Sequence, residues 1–434
     1  MNLKEAVPQL ASAVQLERSL DNLSCSHPWE QEVEPEGLSV QVATSMREIK
    51  ELRPVWRKWP HGLDTDLDYL SHTLKNDPTI ARPHVITIWK DSIAQAMLVG
   101  HVRKRRVSTV VSFVNISGPS VNVLEIVKGG RIGRQSAAID RLLAMELLKA
   151  IRGGDVDLVC FQRLALHSEL LREVQQLPGL LIRDRVPHIF YYSVLSLKAR
   201  AGERASFLPG KARREVRRKT RILEREFPGE ARVKCFSDPG EMDAGIRDAL
   251  MIAANTWQCH LGHGLSNTSQ THATLRFFAE RRWLRIYVLY IENQPCAFLI
   301  GQLFKNTFYC QYAGYHPDFA RLSVGSLLTA WALENLAEAG VEQVDLGEGG
   351  QEHNRRLGCQ MREEGTVHVY SPTLRGLWLN MFFTATQTVR AGGRKTRSGL
   401  GLNGAVKLWQ QFLISRSKAR QSASEPPVEV SPVA

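Results

Sequence analysis

Tyr312-Ala-Gly-Tyr-His-Pro-Asp-Phe-Ala-Arg-Leu-Ser-Val-Gly-Ser-Leu-Leu328 reads as the end of a strand, a polar loop and the start of a helix. The strand is expected over Thr307–Tyr315, where β-branched and aromatic residues cluster. The helix is expected over Ser326–Ala339, with apolar spacing that stops at Gly340. Val341–Leu346 then reads as a buried strand. Working backwards, Arg285–Ile291 and Pro295–Leu303 are strands joined by a turn at Glu292–Gln294.

The same order of elements occurs earlier in the chain. Val85–Trp89 and Ala94–Val102 read as strands about a turn at Lys90–Ser92, and Val110–Ile116 as a third strand. Ala137–Ile151 has helical spacing and stops at Gly153-Gly154, and Val156–Phe161 is the next buried strand. Ala96-Met-Leu-Val-Gly100 occupies the place that Ala297-Phe-Leu-Ile-Gly301 takes later. The shared order, more than the short match, points to an internal duplication. Gly129-Gly130-Arg131-Ile132-Gly133-Arg134 precedes the earlier helix and is glycine-rich and basic, a weak signal on its own.

Composition narrows the class. The 434 residues are 43% hydrophobic and 23% charged, which suits two or three globular domains. The seven cysteines are widely spaced, sit mostly in apolar stretches and form no CxxC pair, which is reduced-compartment usage. Residues 1–36 are acidic and lack the apolar core of a signal peptide. The apolar runs are all far shorter than the ~20 residues that span a bilayer. The expected location is therefore the cytoplasm. No G-x-S-x-G elbow, Walker loop or strand-linked dinucleotide fingerprint is present. Cys259-His260-Leu-Gly-His263 lacks a second cysteine pair and a fourth ligand, so no metal is expected.

The net charge of +12 favours an anionic partner, and much of it is concentrated between the two units. Pro209-Gly210 opens a helix that Pro228-Gly229 closes. Ala212, Val216, Leu223 and Phe227 share one face of it. Arg213, Arg214, Arg217, Arg218, Arg221 and Arg225 lie opposite, as forks suited to phosphate or as a solvated face. No aromatic residue on that face offers a base-stacking platform.

The 312–328 run resembles the part of the GNAT superfamily where a strand leads into the acyl-CoA pyrophosphate loop and its helix. Val344-Asp-Leu-Gly-Glu-Gly349 resembles the D-L-G-x-G strand end of its double-GNAT branch. That branch holds the CelD-like cellulose-biosynthesis acyltransferases and, more distantly, the Fem-type aminoacyl transferases. The basic helix and Trp257-Gln258 also look like this branch. The resemblance implies an α/β fold of tandem GNAT-like domains, each a mixed, mostly antiparallel sheet flanked by helices. It implies acetyl-CoA or a longer acyl-CoA as donor, held by Arg321, Leu322, Ser323, Val324, Gly325 and Ser326 at a helix N-terminus, with Ser326 also capping the helix.

The chain departs from the pattern in two places. The superfamily loop Q/R-x-x-G-x-G/A places Ala320 first and Ser323 at the middle glycine. The Tyr-Lys pair that follows D-L-G-x-G in the branch is replaced by His353 and Asn354, with Arg355 next. Acyl transfer needs a base for the acceptor and an acid for the departing thiolate. Glu348 and His353 are the candidate bases, and Tyr312 and Tyr315 the candidate acids. Trp257, Gln258, Tyr315 and Asp345 are placed by the resemblance near the acceptor groove, with bracing of the loop as the other role for Asp345.

The expected organisation is an acidic lead-in (1–36), a degenerate GNAT-like domain (37–200), the basic linking helix (201–230), a GNAT acyltransferase domain (231–372), amphipathic basic helices (373–417) and a disordered tail (418–434). Leu374, Leu377, Trp378, Met381, Phe382 and Ala385 fall on one stripe, which suits either packing on the domain or peripheral contact with the inner membrane face through residues 374–420. The expected activity is transfer of an acyl group to an amine or hydroxyl of an envelope or polysaccharide precursor. A Fem-type transferase drawing on aminoacyl-tRNA and an inactive scaffold at the membrane face are the alternatives; nucleic acid other than tRNA is not expected.

Overall fold

The structure is a computed structural model that describes residues 37–111, 114–179, 181–198, 207–256 and 264–399, without side chains at 108–117 and 389–399. The acidic lead-in, the Trp257-Gln258 and Cys259–His263 stretch, the second amphipathic helix and the tail lie outside the described residues.

Twelve strands form one sheet: β1 (Leu38–Ala43), β2 (Ile80–Lys90), β3 (Ile93–Val111), β4 (Val114–Gly133), β5 (Leu158–Ala165), β6 (His188–Ser196), β7 (Ala231–Phe236), β8 (Leu284–Ile291), β9 (Gln294–Phe304), β10 (Thr307–Tyr315), β11 (Gln343–Gly347) and β12 (Gln360–Tyr370). Their spatial order is β1-β2-β3-β4-β5-β12-β6-β11-β10-β9-β8-β7. Read inward from either edge the sheet repeats itself. Five consecutive strands are followed by one from the other half: β12 closes the first set and β6 the second. In both sets the fourth and fifth strands, β4–β5 and β10–β11, run parallel, while the other ladders from β2 to β7 are antiparallel. This is the tandem arrangement that the repeated element order implies. The exchange of β6 and β12 is a feature of the pairing alone.

The helices are α1 (Met46–Glu51), α2 (Arg53–Trp56), α3 (Leu67–Asn76), α4 (Ala137–Arg152), α5 (Glu169–Gln176), α6 (Gly210–Glu226), α7 (Met242–Ala254), α8 (Ser269–Glu280), α9 (Val324–Glu338), α10 (Gln351–Arg356) and α11 (Leu374–Gly399). Alternation decides which side of the second half's sheet each covers. Tyr287, Leu289, Ala297, Leu299 and Phe308 join Leu223 of α6 and Leu327, Leu328 and Leu336 of α9 in one core. Ile286, Val288, Phe298 and Ile300 face the other way and meet Ile246 and Ile252 of α7 and Leu275 and Phe278 of α8. Ala212, Val216 and Phe227 of the basic helix pack on the first of these cores, as its apolar stripe requires.

The repeated Ala-x-x-x-Gly has a physical cause. A Cβ on Gly100 would stand 2.7 Å from the Glu125 carbonyl oxygen of β4, and one on Gly301 would collide with the Phe308 ring and the Tyr309 carbonyl of β10. Each glycine borders an irregularity in its ladder, between Leu98 and Gly100 in one half and between Cys310 and Tyr312 in the other. The absent side chain lets the next strand press in where its register slips.

One reading of the first half needs correction. Val110–Ile116 is not a strand: β3 ends at Val111 and β4 starts at Val114, so this apolar run straddles the tip of a long hairpin. The Gly129–Arg134 cluster is mostly strand, since Gly129–Gly133 belong to β4. Arg131 turns onto Asp140 in the first turn of α4, at 2.6 Å, and donates to the Ile132 carbonyl at 2.7 Å. That helix end already holds a carboxylate and its counter-charge.

Glu125 of β4 is 2% exposed, with His101 Nε2 at 3.3 Å, Arg103 Nη1 at 3.2 Å and Arg105 Nη1 at 3.3 Å. Burial alone would raise its carboxyl, but His101 and Arg103 hold it at about 2. A depressed carboxylate stabilises the fold above its unfolded pKa of ~4.3, and that stability is lost as pH falls toward 2. Glu125→Gln is expected to cost about 3 kcal/mol at pH 7 and to flatten the loss of stability between pH 4.5 and 2. Denaturant titrations at pH 7, 4 and 3 check both.

Candidate functional site

β10 and β11 pair through only three residues, Thr307↔Gln343, Phe308↔Val344 and Tyr309↔Asp345. Beyond them the strands part, while β10 continues to Tyr315 and β11 to Gly347. The register of β10 on β9 jumps from Cys310↔Gly301 to Tyr312↔Ile300, which leaves Gln311 without a partner in that ladder. A cleft of ≈ 790 Å³ opens at the splay. Gln311 through Tyr315, Ser323 through Ser326 and Leu346 through Gly350 line it, with Thr329, His353 and Asn354.

One wall is the start of α9. A 3-10 turn over Pro317–Leu322 delivers the chain to Ser323, whose φ of 57° and ψ of 35° are left-handed. Glycine is favoured in that conformation, and serine adopts it here. The N-cap of α9 is Ser323, not Ser326: the Ser326 and Leu327 amides return to the Ser323 carbonyl at 3.0 and 3.2 Å. Val324 and Gly325 lie in the first turn of α9, where amides have no intrahelical carbonyl to bond, at the positive end of the helix dipole. A Cβ on Gly325 would lie 3.1 Å from Tyr315 Cδ1.

The other wall follows β11. Gly347 and Gly350 take positive φ values of 72° and 65°, folding Glu348 and Gly349 tightly over the cleft. Asn354 donates to the Gly349 carbonyl at 2.7 Å and braces this turn from α10. Asp345 accepts from the Gly347 amide at 3.0 Å and pairs with Lys128 of β4 at 2.6 Å, and Lys128 in turn donates to the Tyr192 hydroxyl of β6 at 2.5 Å. A cation from the first half therefore fixes the strand end of the second. Burial pushes the Tyr312 phenol up. Burial, with Lys219 of α6 and Arg356 nearby, pushes the His353 imidazole down, so it is neutral at pH 7.

The cleft thus gathers Tyr312, Tyr315, Ser323, Val324, Gly325, Ser326, Glu348 and His353. Arg321 does not line it: its guanidinium points to Glu226 of α6 at 2.5 Å. Leu322 is buried in the core, and Asp345 lies behind the wall on Lys128. Trp257 and Gln258 lie outside the described residues. Sequence reasoning missed Gln311 and Thr329 and named Asn354 only as a departure from the motif. The first follows from a bulge and the others from helix phase, which single motifs do not report. Among the described residues no group of three or more His, Cys, Asp or Glu is placed to hold a metal.

On α6, Arg218 is tied to Glu215 at 2.8 Å, and Arg214, Arg217, Arg221 and Arg225 are exposed. On α11 the apolar stripe divides. Phe382 packs on the sheet beside Leu379 and Phe383, which lie off the stripe, while Leu374, Trp378 and Met381 are 88%, 45% and 71% exposed. No helix among the described residues is long and apolar enough to cross a membrane.

Residues 210–355 match the family model described as an acetyltransferase (GNAT) domain. No curated protein matches the sequence. Among solved structures, FemX is 10% identical with a TM-score of 0.50, covering 76% of this chain and 97% of its own. A tandem GNAT protein from the clavulanic acid biosynthesis pathway is 12% identical with a TM-score of 0.43, covering 77% and 99%. L-PGS from Bacillus licheniformis is 14% identical with a TM-score of 0.44, also covering 77% and 99%. At these identities the likeness concerns the fold.

Proposed function

We propose that the chain is an acyl-CoA-dependent acyltransferase that acylates an amine or hydroxyl on an envelope or polysaccharide precursor. The observation that carries this is the α9 N-terminus opening onto the β10–β11 splay, with Gly325 against Tyr315. Unpaired amides and the helix dipole suit a pyrophosphate there, and the parted strands leave room for a thioester arm to reach Tyr312. The match of residues 210–355 to the GNAT domain supports the same reading.

In this mechanism Ser323–Ser326 bind the donor's phosphates. The unpaired strand position at Gln311 offers a backbone donor to polarise the thioester carbonyl. His353, kept neutral, accepts the acceptor's proton directly or through water, and Glu348 is the second candidate for that role. The new bond forms from the acceptor nitrogen or oxygen to the carbonyl carbon as the carbon–sulfur bond breaks. Tyr312, kept protonated by burial, donates to the leaving thiolate.

Calorimetry with acetyl-CoA and longer acyl-CoAs tests the donor. Absence of binding by folded protein would overturn the reading, and co-purified tRNA in that case would favour a Fem-type donor. His353 tests the base. Its lowered pKa predicts an acid limb whose midpoint lies below that of a free imidazole. His353→Gln is expected to lower kcat by about 10²-fold and to remove the acid limb. An unchanged acid limb would move the role to Glu348. The exposed α11 stripe suits peripheral contact with a membrane face, and flotation on anionic vesicles with and without residues 374–420 reads that out.

A further inference from the structure

The 790 Å³ cleft has a neighbour. A second opening of ≈ 420 Å³ lies between α3 and α8, and Gln311 and Tyr312 line both. Tyr312 packs toward the core beneath α7 and α8, whereas Val324 of the donor wall belongs to the core beneath α6 and α9. Two clefts thus meet at the one segment of β10 where the thioester is proposed to lie.

The chemistry of the second cleft is uniform. Thr73 and Asn76 of α3 face Thr268, Gln270, Thr271 and Thr274 at the start of α8. No lysine or arginine is among its described lining residues, and the lone carboxylate, Asp77, is committed. Asp77 accepts from the Thr79 amide at 2.9 Å and hydroxyl at 2.6 Å, and its other oxygen holds Arg103. The His72 imidazole is pushed down by burial and by Arg281, so it adds no charge at pH 7. Thr73 and Thr274 donate back to the Tyr69 and Gln270 carbonyls, Thr268 and Thr271 share a bond, and Asn76 donates to the His72 carbonyl, so the oxygen lone pairs of these groups and the exposed Gln270 amide are what a hydroxyl-bearing ligand would meet. A phosphate or carboxylate would find no counter-charge, and leaving it unpaired is costly.

We propose that this cleft seats the acceptor, and that the acceptor is a neutral polyhydroxylated group, a sugar unit that carries the amine or hydroxyl to be acylated. The proposal rests on the acyl-transfer reading above. The first half, which has no donor loop, then has a role of its own, because α3 supplies one wall of the acceptor site.

The test is binding of glucosamine, cellobiose, glucosamine 6-phosphate and spermidine to the full chain, followed by ligand-observed NMR with and without acetyl-CoA. Thr271→Val and Thr274→Val keep side-chain shape, and Gln270→Ala removes an exposed amide. Each is expected to weaken glucosamine or cellobiose at least ~10-fold, about one hydrogen bond's worth, with acetyl-CoA affinity unchanged. The proposal is overturned by sugar binding that ignores all three variants. It is equally overturned by tighter binding of the phosphate or of spermidine than of the neutral sugars, or by no binding of any probe. Acetyl-CoA binding in the same samples separates these failures from failure of the acyl-transfer reading itself.

Discussion

Gly325→Glu is expected to lower acyl-CoA affinity by at least ~100-fold while the protein stays folded. The glycine lies in the first turn of α9, and its missing side chain leaves the gap beside Tyr315 through which the helix end meets the cleft. A glutamate there is tolerated by the helix, because negative charge is favourable at an N-terminus. It is also a built-in competitor for the site a pyrophosphate needs, and it repels that group in a partly desolvated cleft. The Cβ at 3.1 Å requires the Tyr315 ring to give by a few tenths of an ångström, which a side chain 40% exposed can do. Gly325→Ala should therefore lose less than ~10-fold, as a purely steric change. Calorimetry read beside a thermal melt separates lost binding from lost fold. Equal affinity in wild type and the glutamate variant would remove the donor site from this loop.

Gly301→Val is expected to destabilise the fold by about 3 kcal/mol or more, among the largest effects available to one added side chain. Valine is otherwise welcome in a buried strand. The cost comes from the Phe308 ring and the Tyr309 carbonyl that occupy the place of the Cβ. The carbonyl is backbone, held by the β9–β10 ladder, and cannot rotate away. Gly100→Val should cost a similar amount, since the Glu125 carbonyl plays the same part there. Urea midpoints of the two variants check the prediction, and a midpoint for Gly301→Val equal to wild type would show that β10 can shift freely on β9.

Much of the second half could be read from sequence because its signals are local. Thr307–Tyr315 is β10 as bounded by pattern alone, and Ser326–Ala339 differs from α9 by two residues at its start and one at its end. The first half was harder where local signals mislead. Val110–Ile116 is apolar with no glycine or proline to mark the hairpin tip, and the first such residues are Gly118 and Pro119. Of the residues that line the cleft, Ser323–Ser326 and His353 were visible as positions in a motif. What a motif could not tell was which side chains turn inward. Arg321 looked like a phosphate ligand by type, but the phase of the 3-10 turn sends it to Glu226. The polar cleft needed α3 and α8 side by side, about two hundred residues apart in sequence, and no periodicity reports such a meeting.

The exchange of β6 and β12 also sets a clock. β5 finds its partner in β12, as in Ala165↔Glu364, so the inner edge of the first half waits for about two hundred further residues before it is covered. At ~5–20 residues per second that wait lasts about 10–40 s on a ribosome. Through it the continuously buried run Leu158–Phe161 would stand as an open edge, the kind that other chains pair with. The centre of the sheet is thus the last part to form, and closing it costs the loop entropy of a long chain late in synthesis. A nascent chain stopped near residue 200 is expected to be aggregation-prone although its half of the sheet looks complete in the finished protein.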